Sequence, residues 1–327
     1  MKIIEAAYII LMVVITYELT MIIHELGHLV MAKLTGYSFV SFRVGPIMLV
    51  NESGNLRFRN TGFIKGTGGQ CVMMPPDRTS AENTPMLLYF LGGGFFNLLT
   101  VLFAVPIGLL INHTYVKAFF LLLGIISGGQ AIINLIPSKL VVANDGYSIS
   151  RIRKSPSDRM ALLNSLRISS HPECSFSEMP ETYFVCQDEG EYANLSYILR
   201  GFYLMDRKDF SGAEKLFLKC NESIGKSNEL YHLEATAALL LCMLLRNADD
   251  AAIEKIYDDN LKNYLEQTKV KQIDKRCVLY AYHLLHRKDE LSANHEYTEM
   301  MKLKANASQG DLKTQMMLAE EIRKRSA

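Results

Sequence analysis

Apolar positions run together along the first 138 residues, whereas along the rest they recur every three or four positions between charged ones. Three of the runs, 3–23, 86–111 and 118–137, reach the roughly 20 mainly apolar residues that a membrane-crossing helix needs. The second and third carry no charge. The first contains Glu5 and Glu18, and its periodicity continues past two histidines to about Leu34. A helix of that length, about 48 Å at about 1.5 Å per residue, exceeds a hydrocarbon core of about 30 Å and must tilt or project. It lacks the basic start and small-residue cleavage site of a signal peptide and is expected to stay attached.

Between the first two spans the pattern changes to alternation. "YSFVSFRV" alternates and is rich in β-branched and aromatic residues, "PIMLV" follows, "NESGN" is a turn signal, and "LRFRNTGFI" alternates again. Residues 37–74 are therefore expected to form a hairpin or small sheet at the membrane face, or else a capping loop. From about Ser155 onward the pattern is that of amphipathic helices with short polar connections. Within it, "GFYLMDRKDFSGAEKLFLKC" (201–220) aligns with "AYHLLHRKDELSANHEYTEM" (281–300), and "LLCMLLRNADDAAIEKIYDD" is a fainter copy between them. The Gly, Ala and aromatic spacing of the first copy resembles tetratricopeptide repeats, although the period near 40 is longer. A helix-pair solenoid or an ordinary helical bundle accounts for it, and the usual employment of a solenoid is to bind peptides or partner proteins.

The expected architecture is mainly α. A three-span transmembrane helical core with a small membrane-associated β element occupies 1–150, and a cytoplasmic, tetratricopeptide-like α-helical domain occupies 151–327. Charge follows the same division. Residues 1–138 hold eight Lys/Arg and six Asp/Glu; the other twenty-seven and twenty-eight lie beyond. A net charge of +1, with no basic block, argues against nucleic acid as a partner. The six cysteines lack paired spacing, which suits a reducing compartment better than a disulfide framework. Lys/Arg counts in the short flanking loops orient the chain. Lys33, Arg43, Arg57, Arg59, Lys65 and Arg78 follow span one, only Lys117 follows span two, and Lys139, Arg151, Arg153, Lys154, Arg159 and Arg167 follow span three. The N-terminus is thus expected outside and both basic regions in the cytoplasm of a multi-pass protein of the plasma membrane.

Candidate chemistry sits in "MIIHELGHLV" (21–30). On a helix, residues four apart share one face, so His24 and His28 can reach one metal ion. Glu25, about 100° around, can hydrogen-bond a water on that metal without competing as a ligand. Two imidazoles and a third protein ligand leave zinc an open position, where water ionises near neutral pH and Glu25 can take its proton. Ionisable groups within a span are costly and face a polar cavity or each other. Glu18, seven residues before Glu25, either lines that cavity or is a solvated spectator. Asn97 and Asn134 are amides in apolar spans that need partners. For each a structural hydrogen bond competes with a catalytic one, the structural reading leading for Asn97 and the catalytic one for Asn134, while Gly92, Gly93, Gly94, Gly128 and Gly129 allow close helix packing.

"HELGHLVMAKLTG" (24–36), "GGGFFN" (92–97), and "NLIP" (134–137) with "NDG" (144–146) together resemble the site-2 protease family of intramembrane zinc metalloproteases, over residues 1–150. The resemblance implies a three-helix protease core with His24, His28 and Asp145 as zinc ligands and Glu25 as catalytic base. It also implies that Asn134 positions substrate or steadies the oxyanion, and that 37–74 is the family's membrane-associated hairpin, whose edge can receive an extended substrate. The spacing departs from the family pattern: Asn134 to Asp145 is eleven positions where eight is usual, so the added residues in "SKLVVAN" need a bulge or longer unwound turn. Pro137 ends the third span and Gly146 eases a turn, and Asp145 is the sole acidic residue between Glu82 and Asp158. Asn144 is expected to be dispensable for the metal. His171 with Cys174 and Cys186, and His283 with His286, lack a complete ligand set.

The expected function is an intramembrane zinc endopeptidase acting on a membrane-spanning protein or peptide, with the helical domain selecting substrate or receiving a regulatory protein or peptide. A catalytically silent membrane adaptor is the alternative, and it needs none of His24, Glu25, His28 and Asp145. A zinc-dependent transporter is disfavoured by three spans and one motif-bearing helix.

Overall fold

The computed structural model describes residues 2–52, 54–62, 68–76, 81–139, 143–222, 229–268 and 272–326. Lys65 and Arg78, which entered the orientation argument, lie outside them, as do 140–142 of "SKLVVAN". The chain divides into two compact units, Met1–Pro156 and Ser157–Ala327. The division falls a few residues beyond the expected boundary at 150, because the helix that begins at Asp145 packs with the membrane-length helices.

The first unit is built on α1 (Lys2–Leu34), α2 (Met86–Leu110) and α3 (Thr114–Leu135), each long and apolar enough to cross a membrane. The protein thus has the make-up of a membrane protein. α1 continues without a break through both histidines. α2 and α3 are joined by a short link in which His113 caps α3 through the Val116 N–H. Their outward positions are apolar and exposed, including Leu102, Phe103, Leu110, Ile125 and Ile133. Thr16 and Thr20, buried on α1, return their hydroxyls to carbonyls of their own helix, so neither is left unpaired.

Segment 37–74 folds as a four-stranded antiparallel sheet: β1 (Ser38–Val44), β2 (Ile47–Glu52), β3 (Asn55–Asn60) and β4 (Gly69–Met74), in the order β3-β2-β1-β4. Gly45 and Gly54, with φ of 55° and 88°, make the two hairpin turns, a backbone region that L side chains adopt only with strain. Phe42 stands opposite Leu49 on one side and Cys71 on the other, and Leu49 opposite Phe58, so one face is an apolar row. That face and the Leu26–Leu29–Lys33 side of α1 border an open apolar groove of about 390 Å³. A fourth helix, α4 (Asp145–Lys154), closes the unit against α2 and α3.

The second unit is helical: α5 (Pro156–Ser169), α6 (Ala193–Asp206), α7 (Phe210–Glu222), α8 (Glu229–Leu245), α9 (Asp250–Ile256), α10 (Asp259–Thr268), α11 (Ile273–Ala281), α12 (Glu290–Lys302) and α13 (Gln309–Ser326). α11 runs into a π turn over Tyr282–His286. Leu239, Leu240 and Leu245 of α8, with Phe217, Leu261, Leu265 and Met300, form the fully buried centre. The aligned segments recur in space as three helix pairs, α6–α7, α8–α9 and α11–α12, with one turn in common. Lys208, Asn247 and Lys288, about forty positions apart, each take a left-handed φ (64°, 54° and 54°). After each comes an aspartate, Asp209, Asp249 or Asp289, whose carboxylate accepts a backbone N–H of the next helix.

Candidate metal centre

Two close backbone approaches bring the site together. α1 and α2 cross at Gly27 and Gly92, where a Cβ on either residue would overlap the backbone of the other. At this crossing the His28 ring reaches α2, and its Nδ1–H donates to the Tyr89 carbonyl at 2.8 Å. That carbonyl can only accept, so it fixes the proton on Nδ1 and turns the Nε2 lone pair inward. The second approach is at Gly146, which tucks beneath the Leu135 carbonyl at the end of α3 and sets the start of α4 beside α1.

Asp145, the first residue of α4, meets both histidines there. Its Oδ2 lies 3.2 Å from His24 Nε2 and 3.3 Å from His28 Nε2, and the two Nε2 atoms are 3.2 Å apart. Among the described residues this is the one group of three or more His, Cys, Asp or Glu side chains close enough to share a metal ion. Burial alone would raise the Asp145 carboxyl, but the imidazoles of His28 and His24 outweigh it and hold it below the usual carboxylate range. A carboxylate at this place is a competent ligand.

The residues fit a tetrahedral ion on two counts. Donors about 2.0–2.1 Å from one centre stand about 3.3 Å apart, close to the three separations observed. In addition, Gly93 borders the cluster: a Cβ there would lie 2.6 Å from His28 Nε2 and closer still to the His24 ring. Of the glycine run, Gly92 packs on α1 and Gly94 on Leu135, as expected for packing residues, but Gly93 keeps open the space in front of both imidazoles. The phase of Gly93 on α2 relative to the histidines was the only signal for it, and three consecutive glycines conceal that phase.

Glu25 is buried, on the side of α1 turned toward β4. Its carboxylate fills the space a side chain on Gly69 would take, and it interacts electrostatically with His28, His24, Asp145 and Arg43. Arg43, counted from sequence only as a loop charge, is buried on β1 and donates to the Gly45 carbonyl at 3.0 Å and the Gly69 carbonyl at 3.4 Å. Burial pulls its guanidinium below the ordinary value, while the Glu25 carboxylate works in the opposite direction. Tyr89 ties the same strand to α2, its hydroxyl donating to the Cys71 carbonyl at 2.6 Å.

The two amides bond differently. Asn134 donates to the Gln130 carbonyl one turn back on α3, and among the described residues its side chain makes no hydrogen bond to the cluster. Asn97 is fully buried against His24, with its amide nitrogen 3.2 Å from Nδ1 and 3.3 Å from Gln130 Oε1. Asn144, expected to be dispensable, is a clasp. Its amide donates to the Ile133 and Ile136 carbonyls at 2.6 and 2.7 Å, satisfying acceptors at the end of α3. Its oxygen accepts from Tyr147 N at 2.8 Å and Ser138 N at 3.1 Å, capping α4. The eleven-residue spacing is absorbed this way: α3 ends at Leu135, and Asn144 fastens the returning chain so that Asp145 begins α4 at the histidines.

Glu18 is exposed on α1 and does not line the buried site. In the helical unit His171 Nδ1 bonds the Arg167 carbonyl, and His286 is held between Asp250 and Glu254 at 3.0 and 2.7 Å. No family model, curated protein or solved structure matches the chain.

Proposed function

We propose that the protein is an intramembrane zinc endopeptidase that cuts a membrane-spanning or membrane-proximal peptide. The observation that carries this reading is the triangle of His24, His28 and Asp145 beside buried Glu25, set among helices whose outer surfaces are apolar. A fold or an adaptor gains nothing from four ionisable groups in such a position, where each is costly. The resemblance of the sequence motifs to site-2 proteases points the same way.

His24, His28 and Asp145 would hold the ion, which supplies Lewis acidity to a water and to the carbonyl of the bond to be cut. Glu25 would take the proton of the attacking water and pass it to the departing amine, as its position beside the cluster without membership in it permits. Arg43, in electrostatic contact with Glu25, would keep the carboxylate available as a base. β4 is an outer strand of the sheet, with Gly69 against Glu25, so an extended substrate laid along it would bring its backbone to the base. Asn134 would steady the oxyanion only after turning from its own helix. The N-terminus would lie outside, the helical unit in the cytoplasm of a plasma-membrane protein, and the repeated helix pairs would form a tetratricopeptide-like surface for a substrate or regulator.

The test is Glu25→Gln in the full chain, assayed by fragments of membrane proteins in cells. Cleavage is expected to fall about 10²–10⁴-fold with zinc retained. Equal cleavage by the variant would refute the mechanism.

A further inference from the structure

The two histidines of the cluster are held from behind in different ways. His28 Nδ1 meets a backbone carbonyl, which only accepts. His24 Nδ1 meets a side-chain amide: among the described residues its one hydrogen-bond partner is Asn97, at 3.2 Å. A primary amide has a donating end and an accepting end of nearly equal size, and a half-turn of the side chain exchanges them. The far end, Oδ1, is buried and has no hydrogen-bond partner, so nothing there holds the amide against the half-turn. Behind Asn97, Gln130 of α3 presents a second amide at 3.3 Å, whose own Nε2 lies 3.2 Å from the weak acceptor Met21 Sδ; reversing Gln130 with Asn97 gives up that contact and keeps a donor facing an acceptor.

The chemistry of His24 decides which end is needed. For Nε2 to serve as a ligand alongside His28 and Asp145, it must offer its lone pair to the centre of the triangle, so the ring proton must sit on Nδ1. An Nδ1–H requires an acceptor, and the Asn97 oxygen supplies it after the half-turn, with Gln130 Nε2–H donating to that same oxygen. With the amide nitrogen toward the ring, the proton is forced onto Nε2 and the lone pair is lost from the site.

We infer that Asn97, backed by Gln130, is the positioning residue that sets the ligand tautomer of His24. The inference rests on the metal-centre reading above, and it concerns metal affinity before any effect on cleavage. It assigns a part in the site to an asparagine for which the sequence favoured a structural hydrogen bond over a catalytic one.

The experiment measures zinc affinity of the full chain in detergent by competition with a chromophoric chelator, together with thermal unfolding of each metal-stripped variant. Asn97→Leu removes the acceptor and is expected to weaken zinc binding about 10–100-fold while unfolding at a similar temperature. Asn97→Asp, which can only accept, is expected to restore affinity to within about threefold of the native chain. A merely structural amide gives the opposite order, because a buried carboxylate with no partner harms the fold more than leucine does. Native-like affinity in Asn97→Leu, or an equal loss in Asn97→Asp with the fold intact, overturns the inference. Should Asn97→Leu not fold, nitrogen-15 NMR of ring-labelled histidine in the zinc-loaded native chain decides. Two rings protonated at Nδ1 and metal-bound at Nε2, one of them shifted in Asn97→Asp, support the inference; a single such ring overturns it. Failure of the native chain to bind zinc at all overturns the metal centre itself, a result distinct from zinc binding that ignores residue 97.

Discussion

The helices of the two units differ in what they turn outward. In the helical unit, leucines, phenylalanines and methionines fill the centre, and among the described residues only Val185, Leu218 and Leu291 are large hydrophobic side chains left exposed. In the membrane-length unit the order is turned outward. Ile, Leu, Val and Phe line the surface of α1, α2 and α3, while Thr16, Thr20, His24, Glu25, His28, Asn97, Ser127 and Gln130 are buried. Each arrangement suits its solvent, since apolar side chains seek the interior in water and the surface in lipid. The difference locates the chemistry. In the helical unit the buried Arg276 is answered by a structural partner, Glu296 at 2.7 Å. In the membrane-length unit the buried His24 and His28 meet Asp145 with ligand geometry.

The largest effect expected from breaking this contrast is at Gly93. Gly93→Val puts methyl groups where the imidazoles meet, and zinc binding measured by metal content after dialysis should be abolished with the helices intact by circular dichroism. Retained zinc would mean that the space in front of Gly93 is not the ion's. The same kind of trespass in the other unit should act on stability alone. Glu296→Ala removes the carboxylate 2.7 Å from the buried Arg276 guanidinium, the Glu299 carboxylate standing farther off at 3.8 Å, and should cost about 3 kcal/mol in denaturant unfolding of the helical unit. Zinc affinity should be unchanged; if it falls as well, the separation of roles between the units fails.

A smaller effect is expected at Asn144. Asn144→Ala removes the cap of α4 and the bonds to the end of α3, which should cost about 1 kcal/mol for the cap and loosen Asp145. Zinc affinity should drop about tenfold, as for other groups that orient a ligand. Native affinity would mean that Asp145 holds its place without the clasp.

These residues also mark how far the sequence could be read. The three membrane-length helices and the β segment were legible because each follows from local pattern: long uncharged runs, and alternation punctuated by "NESGN". His24 and His28 were legible because helical spacing alone puts them on one face. One strand went further than the alternation alone, since β4, "GQCVMM", does not alternate and finds its place by pairing with β1. Arg43, Gly93, Asn97 and Asn144 were not legible as site residues, because each acts across elements. Gly93 and Asn97 depend on how α2 is turned against α1, and Asn144 on where the chain returns after α3. The shared turn of the helix pairs was visible as "RKD", but the left-handed residue within it was not, since lysine carries no signal for that backbone region.

The central claim, that His24, His28 and Asp145 form one metal centre, is tested most directly by zinc stoichiometry. The full chain, purified in detergent and dialysed against zinc-buffered solution, should carry one tightly held zinc, and Asp145→Asn should lose it together with cleavage while remaining folded. A native chain without zinc, or an Asp145→Asn chain with full occupancy, would contradict the account.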